Sequence, residues 1–234
     1  ASYNGNVCVI KENLMQYAQD LLKVTEDDID TAMINLSARE EIVIEKRETI
    51  EEWVYLAEMY QAEHNIAHRI HLLEKAQNIK EIPHILVEIE KIEKDTGVKL
   101  SSKQKEAIKE VNNHNVCIIT GGPGTGKTTI IKSIIEMYKK RGKKVVLCAP
   151  TGRAAKKMTE TTGEEAKTLH RLLEIGKFED DGLIQNDYEV SPIDADIVVV
   201  DEVSMVDVFL MNYLLSAIYQ GTKLVLVGDV DQLP

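Results

Sequence analysis

Aromatic side chains, cysteines and long apolar runs are all scarce in this sequence. Aromatics make up 5% of the 234 positions, with one tryptophan and two phenylalanines, so the core has to be built from aliphatic residues. The three cysteines, Cys8, Cys117 and Cys148, are an odd and sparse set, and two of them lie inside apolar runs. That argues against a disulfide framework or a zinc site and for core thiols in a reducing cytoplasm. No apolar run approaches the roughly 18 residues that a membrane-spanning helix needs, and the N-terminus lacks the charged-then-apolar pattern of a secretory signal. Neither a membrane partner nor an exported protein is expected. Internal repeats and low-complexity segments are missing too.

What is present is an ordinary globular balance, 44% hydrophobic and 29% charged, in a length that suits one large domain and a small one. The net charge of −11 speaks against nucleic acid, but it is unevenly spread. Residues 1–100 hold 11 basic and 20 acidic side chains, whereas Lys127 to Arg171 holds 12 basic and 4 acidic. A local basic stretch can meet phosphates in an acidic protein, because salt screens exposed charge beyond about 8–10 Å. Equally, it can be a set of solvated helix faces. Charge leaves both readings open.

The first 80 residues read as a small winged-helix-like and helical domain. A short strand, Val7–Ile10, precedes an amphipathic helix near Glu12–Leu22 with Leu14, Tyr17, Ala18, Leu21 and Leu22 on one side. Thr25 and Asp28 have capping-box spacing and open a second helix. Ile42–Ile44 and Trp53–Leu56 look like paired strands, and a long helix is expected from Glu58 to Gln77. Such folds often bind DNA, but this segment carries most of the negative charge, so docking or scaffolding is as good a reading. Residues 81–99 read as a connecting helix after Pro83, ended by Gly97.

From residue 100 to 234 the pattern becomes that of an α/β domain. Four short apolar runs, Val116–Ile119, Val145–Cys148, Ile197–Val200 and Leu224–Val227, are separated by helical patterns, as a parallel sheet covered on both faces requires. A polar motif follows each run, so all four motifs fall at the carboxyl ends of strands, where open α/β sheets bind ligands.

The first motif, Gly121-Gly122-Pro123-Gly124-Thr125-Gly126-Lys127-Thr128, satisfies G-x-x-x-x-G-K-[ST] in full. Glycines let backbone N–H groups approach a polyphosphate, Lys127 can reach the β- and γ-phosphates, and the Thr128 hydroxyl can coordinate Mg²⁺. Two fixed glycines, a lysine and a Ser/Thr arise by chance in roughly one chain in a hundred of this length, and the flanking strand and helix lower that further. Asp201-Glu202 ends the third run, with Asp201 as the expected magnesium partner and Glu202 placed to orient or deprotonate an attacking water. Gln232, after the fourth run, is a candidate γ-phosphate sensor.

Five segments together carry a resemblance: Gly121–Thr129, Ala149–Ala155, Thr168–Leu173, Asp201–Asp207 and Gly228–Pro234. In this order they resemble the motifs of superfamily 1 DNA helicases, in the RecD-like branch that includes the exodeoxyribonuclease V α subunit. The N-terminal segment is similar to the region before the motor in the longer members that work without RecB and RecC. The resemblance implies a RecA-like phosphate-loop domain that binds ATP and Mg²⁺ and acts at single-stranded DNA and forks in recombination or repair, moving 5′→3′. It assigns Gln104 to adenine recognition and adds Thr129 to the nucleotide site. Thr151, Gly152 and Arg153, then Thr168, His170 and Arg171, match the motifs that touch the DNA backbone, although by pattern His170 reads equally well as a buried core histidine. Phe178–Tyr188, within an insertion near 175–190, corresponds to the family's strand-separating hairpin, here rich in acids.

Such motors need a second RecA-like domain that contributes arginines, and its motifs are not in these 234 residues. The expectation is therefore an N-terminal motor fragment, inactive in unwinding by itself, from a parent that works alone or in a nuclease complex. Two other classes stand beside it: a non-motor phosphate-loop enzyme, such as a nucleotide kinase or switch GTPase, and a binding module with a regulatory nucleotide site. No guanine-recognising Asn-Lys-x-Asp is present, and Glu202 with Gln232 fits hydrolysis better.

Overall fold

A computed structural model describes residues 6–47, 51–76, 81–175 and 190–229. The chain divides into two compact units, residues 1–67 with 207–212 and residues 68–206 with 213–234.

The first unit contains β1 (Cys8–Ile10), α1 (Lys11–Leu22), α2 (Glu26–Ala38), β2 (Ile42–Lys46), β3 (Glu52–Leu56) and the start of α3 (Ala57–Lys75). Its sheet is antiparallel in the order β1-β3-β2, with Cys8 opposite Tyr55 and Ile44 opposite Val54. The α2 cap forms as its spacing predicts: the Asp28 N–H donates to Thr25 Oγ1 at 3.3 Å, and the Thr25 N–H donates to Asp28 Oδ2 at 3.0 Å. Ile29, Met33, Ile42 and Val54 form a small core, against which Leu14, Met15 and Ala18 of α1 pack. Tyr17, Leu21 and Leu22 are exposed, so only part of the apolar face expected for α1 is used. A core of this size covers a narrow arc of a helix.

The second unit contains the end of α3, then α4 (Ile85–Thr96), α5 (Ser102–Asn113), β4 (Val116–Thr120), α6 (Lys127–Lys139), β5 (Val145–Ala149), α7 (Gly152–Thr162), β6 (Ala166–Thr168), α8 (Leu169–Leu172), β7 (Ile197–Val200), a 3₁₀ turn (Val203–Met205), the end of α9 (Val208–Ala217) and β8 (Lys223–Gly228). Five strands form a fully parallel sheet in the order β4-β8-β7-β5-β6. β7 and β8 are buried along their whole length, which explains their unbroken Val, Leu and Ile runs. β4 departs from the expectation of cover on both faces, because it forms an edge and Ile118 is 65% exposed. β6 extends the opposite edge. Its Ala-Lys-Thr sequence carries no strand pattern, and it is held by pairing with β5.

Buried polar groups join α5 to its surroundings. The Asn112 side chain pairs with the backbone of Ile82, accepting from its N–H at 2.7 Å and donating to its carbonyl at 3.3 Å. Asn115 Nδ2 donates to the carbonyls of Leu73 and Ala76 at 3.0 and 2.9 Å, closing the end of α3. Lys223, at the head of β8, donates to the carbonyls of Val111, Asn112 and His114 at 3.1, 2.8 and 2.8 Å.

Candidate nucleotide site and nucleic-acid interface

The parallel register brings the motif-bearing loops to one rim. Thr120 pairs with Gly228, Val200 with Leu226, Cys148 with Val200, and Ala149 with Thr168, so the strands end at nearly the same level. β4 and β7 are two strand positions apart, about 10 Å, which a triphosphate with its metal can span. β4 and β6 stand at opposite edges, four positions or about 19 Å apart. The phosphate loop thus occupies one side of the rim, the Thr151 and Thr168 segments the other, and Asp201-Glu202 lies between.

Residues 121–126 wrap the start of α6 in the conformation its glycines permit. Gly124 and Gly126 adopt φ of 76° and 86°, in the left-handed region that side chains disfavour. Thr125 Oγ1 donates to the Gly122 carbonyl at 2.9 Å. The Thr129 N–H closes back on the Gly126 carbonyl at 3.0 Å. Lys127 Nζ donates to the carbonyls of Gly121 and Gly122. Its ammonium is therefore held by the loop it serves, at the N-terminus of a 13-residue helix whose first N–H groups favour an anion. Thr128 is half-buried in the first turn, and Pro123 is exposed at the tip.

Gln104 stands directly against this loop. It is the third helical residue of α5, and its Oε1 accepts from the Ser101 N–H at 2.9 Å while Ser101 Oγ accepts from the Gln104 N–H at 3.3 Å. A Cβ on Gly126 would overlap Gln104 Nε2. The amide is thereby oriented, with its nitrogen towards the loop. Ser101-x-x-Gln104 has capping-box spacing, and that signal identifies Ser101 as a supporting residue that the motif reading missed.

Asp201 and Glu202 form a tight turn after β7. The Asp201 N–H donates to the Cys148 carbonyl, and Asp201 Oδ1 accepts from the Glu202 N–H, both at 2.9 Å. Glu202 has φ of 53°, a left-handed conformation unusual outside glycine. Among the described residues no group of three or more His, Cys, Asp or Glu could hold a metal ion. A magnesium ion at Thr128 and Asp201 would accordingly share its shell with phosphate oxygens, the usual way Mg²⁺ is bound at nucleotides. The donor set fits that arrangement. Asp229 follows β8 and is buried, whereas Gln232 and the expected 178–188 hairpin lie outside the described residues.

On the other side of the rim two threonines cap adjacent helices. Thr151 Oγ1 accepts from the Ala154 N–H and Thr168 Oγ1 from the Arg171 N–H, each at 3.2 Å. Each hydroxyl keeps its own proton to donate. Gly152, Arg153, His170 and Arg171 are exposed beside them, which removes the buried reading of His170. Arg153, Lys157, Lys167 and Arg171 have no ion-pair partner among the described residues, whereas Lys139, Lys140, Arg141, Lys143 and Lys144, towards the amino ends of the strands, all do.

A family model described as an AAA domain matches residues 104–234. The ATP-dependent RecD2 DNA helicase of Deinococcus radiodurans is 44% identical over 135 residues, which covers 58% of this chain and 18% of that protein. The RecBCD enzyme subunit RecD of Buchnera aphidicola is 34% identical over 202 residues, covering 77% of this chain and 32% of that protein. An uncharacterized protein of Methanocaldococcus jannaschii is 30% identical over 275 residues, covering 99% of this chain and 23% of its own length. The chain thus spans between 18% and 32% of the length of these relatives.

Proposed function

We propose a function on the premise that the chain belongs to the RecD/RecD2-like superfamily 1 helicases through its AAA-type phosphate-loop domain: it is the ATP-binding half of a 5′→3′ DNA-translocating motor. The observation that carries this reading is the shared rim, with the phosphate loop on one edge of the sheet and, on the other, arginines that have no ion-pair partner among the described residues beside two capping threonines. Residues 1–80 and 81–99 serve as a docking module and connector before the motor domain of 100–234, and an insertion near 175–190 acts as a steric wedge.

In this reading each candidate residue has a distinct role. The Gln104 amide, already oriented by Ser101, reads the adenine edge. Lys127 exchanges the carbonyls of Gly121 and Gly122 for phosphate oxygens, and the α6 N-terminus holds the remaining negative charge. Thr128 and Asp201 hold Mg²⁺, which when bound neutralises charge on the phosphates. Glu202 takes the proton of the attacking water, and Gln232 senses the γ-phosphate. Thr151, Gly152, Arg153, Thr168, His170 and Arg171 grip the strand backbone. Closure of a second RecA-like domain brings arginines to the γ-phosphate, a contribution worth about 10³–10⁵ in turnover. Alone, these 234 residues bind ATP weakly and hydrolyse it hardly at all. One relative is a subunit of the RecBCD enzyme, which favours a nuclease-complex subunit as the second reading.

Lys127→Ala is expected to abolish ATP binding, whereas Glu202→Gln keeps binding and loses hydrolysis in a chain that includes the second domain. Equilibrium binding of ATP, with and without single-stranded DNA, tests the motor reading. Occupancy that is indifferent to DNA would favour a non-motor enzyme or a regulatory site.

A further inference from the structure

Gly228 ends β8 at a crowded point of the rim. It pairs with Thr120, the residue immediately before the phosphate loop, and Asp229 follows it into a buried position. β7 stops earlier: its last residue, Val200, pairs with Leu226. The chain leaving β7 therefore turns over the place where a side chain of residue 228 would stand. A Cβ built on Gly228 would lie 2.9 Å from Val203 Cγ1, 3.5 Å from the Ser204 nitrogen and 3.8 Å from the Val203 nitrogen. The first distance is a clash and the other two are contact. Gly228 does not have a positive φ, so the backbone itself does not demand glycine here.

The turn seated on that gap is the one that holds Glu202 in the left-handed region. Such a conformation is costly for a residue other than glycine and persists only where the surroundings over-determine it. The constraints around it are few and short. The Glu202 N–H is tied to Asp201 Oδ1 at 2.9 Å, the Met205 N–H to the Glu202 carbonyl at 3.1 Å, and the Val206 N–H to the Val203 carbonyl at 3.0 Å. Valine is stiff at χ1, so Val203 cannot yield as a long side chain would.

We infer that Gly228 is a positioning residue: the side chain it lacks is the seat of the 202–204 turn and sets where the Glu202 carboxylate stands relative to the phosphate loop. The Asp201 backbone is anchored through its N–H to the Cys148 carbonyl and its carboxylate meets the turn only at the Glu202 N–H, so displacement of the turn acts on Glu202 first and on the metal-side carboxylate through that one bond. The inference rests on the reading of Glu202 as the group that acts on the attacking water.

The test is a four-variant series in a chain that includes the second RecA-like domain: Gly228→Ala, Val203→Ala, the double variant and Gly228→Val. Hydrolysis is read under single-turnover conditions with protein in excess over Mg-ATP, alongside ATP affinity and thermal stability. Gly228→Ala is expected to slow hydrolysis by about tenfold or more, since a sub-ångström to 1 Å displacement of a reacting group costs that much, and to leave ATP affinity within about twofold. Removing Cγ1 makes room, so Val203→Ala with Gly228→Ala recovers the rate to within about threefold of Val203→Ala alone. Gly228→Val, whose added methyls meet the backbone of 203–204, is not rescued by Val203→Ala. An unchanged rate in Gly228→Ala, or no recovery in the double variant, overturns the inference. A purely structural role would lower stability, affinity and rate together. If wild-type hydrolysis in that two-domain chain does not exceed the protein-free rate, the reading of Glu202 fails. The seat is then judged on melting temperature alone, and it is overturned if the two substitutions do not couple.

Discussion

Lys223 opens β8 with its ammonium in the interior, 2% exposed, and spends its three donors on the carbonyls that end α5. Burial pulls its pKa down to about 8 from an ordinary 10.5, partly opposed by the charge of Glu81. Between those values the unfolded chain binds more protons than the folded one, so stability rises with pH across that window. Lys223→Met leaves three buried carbonyls unpaired and is expected to destabilise the protein by about 2–4 kcal/mol in urea unfolding at neutral pH. The wild-type gain in stability from about pH 8 to about pH 10 should be missing from it. A wild-type stability that falls over this range would show that the carbonyls hold the proton more strongly than burial expels it. Nothing in the sequence marks this lysine, which reads as the solvated start of an apolar strand because its partners lie 109 to 112 positions away. Lys127, Thr128 and Asp201 were legible for the opposite reason, since their neighbours in the site are set by local spacing and strand ends. Gly228 sits in between. Its motif was visible, but the closeness to Val203 that gives the missing Cβ a meaning brings the end of β8 against the turn after β7 and is tertiary.

Among the elements, those with strong local pattern match the sequence reading and those created by pairing do not. β7 and β8 were legible as unbroken apolar runs, and α2 as a capped amphipathic segment. α6 begins at Lys127, where the phosphate loop itself supplies the turn that nucleates it. β6 was illegible, being three residues long and defined by its bonds to β5. The end of α3 depends on an element remote in sequence: Asn115 Nδ2 holds the carbonyls of Leu73 and Ala76, 42 and 39 positions earlier. Helix ends leave carbonyls without intrahelical partners, and here a side chain just before β4 supplies them. Asn115→Ala should cost about 1–3 kcal/mol, the price of stranding buried carbonyls, and should speed amide exchange in the last turn of α3 while leaving α6 protected. Equal acceleration in both helices would mean that Asn115 supports the domain as a whole and not that one helix end.

At the scale of the molecule, the charge that opened the question in the sequence is resolved by where the acids fall. The basic stretch from Lys127 to Arg171 is not one surface. Lys139 meets Glu164, Lys140 Asp95, Arg141 Glu88, Lys143 Asp196 and Lys144 Asp194, at 2.5 to 3.4 Å, so this set is neutralised locally. Four of these five acids lie outside the stretch in sequence, two of them, Glu88 and Asp95, in the acidic first 100 residues. Individually such exposed pairs add little stability, but together they remove a competing positive patch. Arg153, Lys157, Lys167 and Arg171, beside the capping threonines, have no such acidic partner among the described residues. A sum over sequence cannot separate the two sets, since pairing is decided by which helix ends and loops meet. If the unpaired set grips a strand, each contact releases counterions and steepens the dependence of affinity on salt. Arg153→Gln and Arg171→Gln should each weaken binding of single-stranded oligonucleotide and lower the slope of log affinity against log salt by about one, with ATP binding unchanged. Lys144→Gln, which removes a charge already answered by Asp194, should leave that slope as it was. A salt titration in which Lys144→Gln and Arg153→Gln lose affinity alike would mean that the strand follows the net basic stretch and not the carboxyl rim of the sheet, and the division of labour along that rim would have to be redrawn.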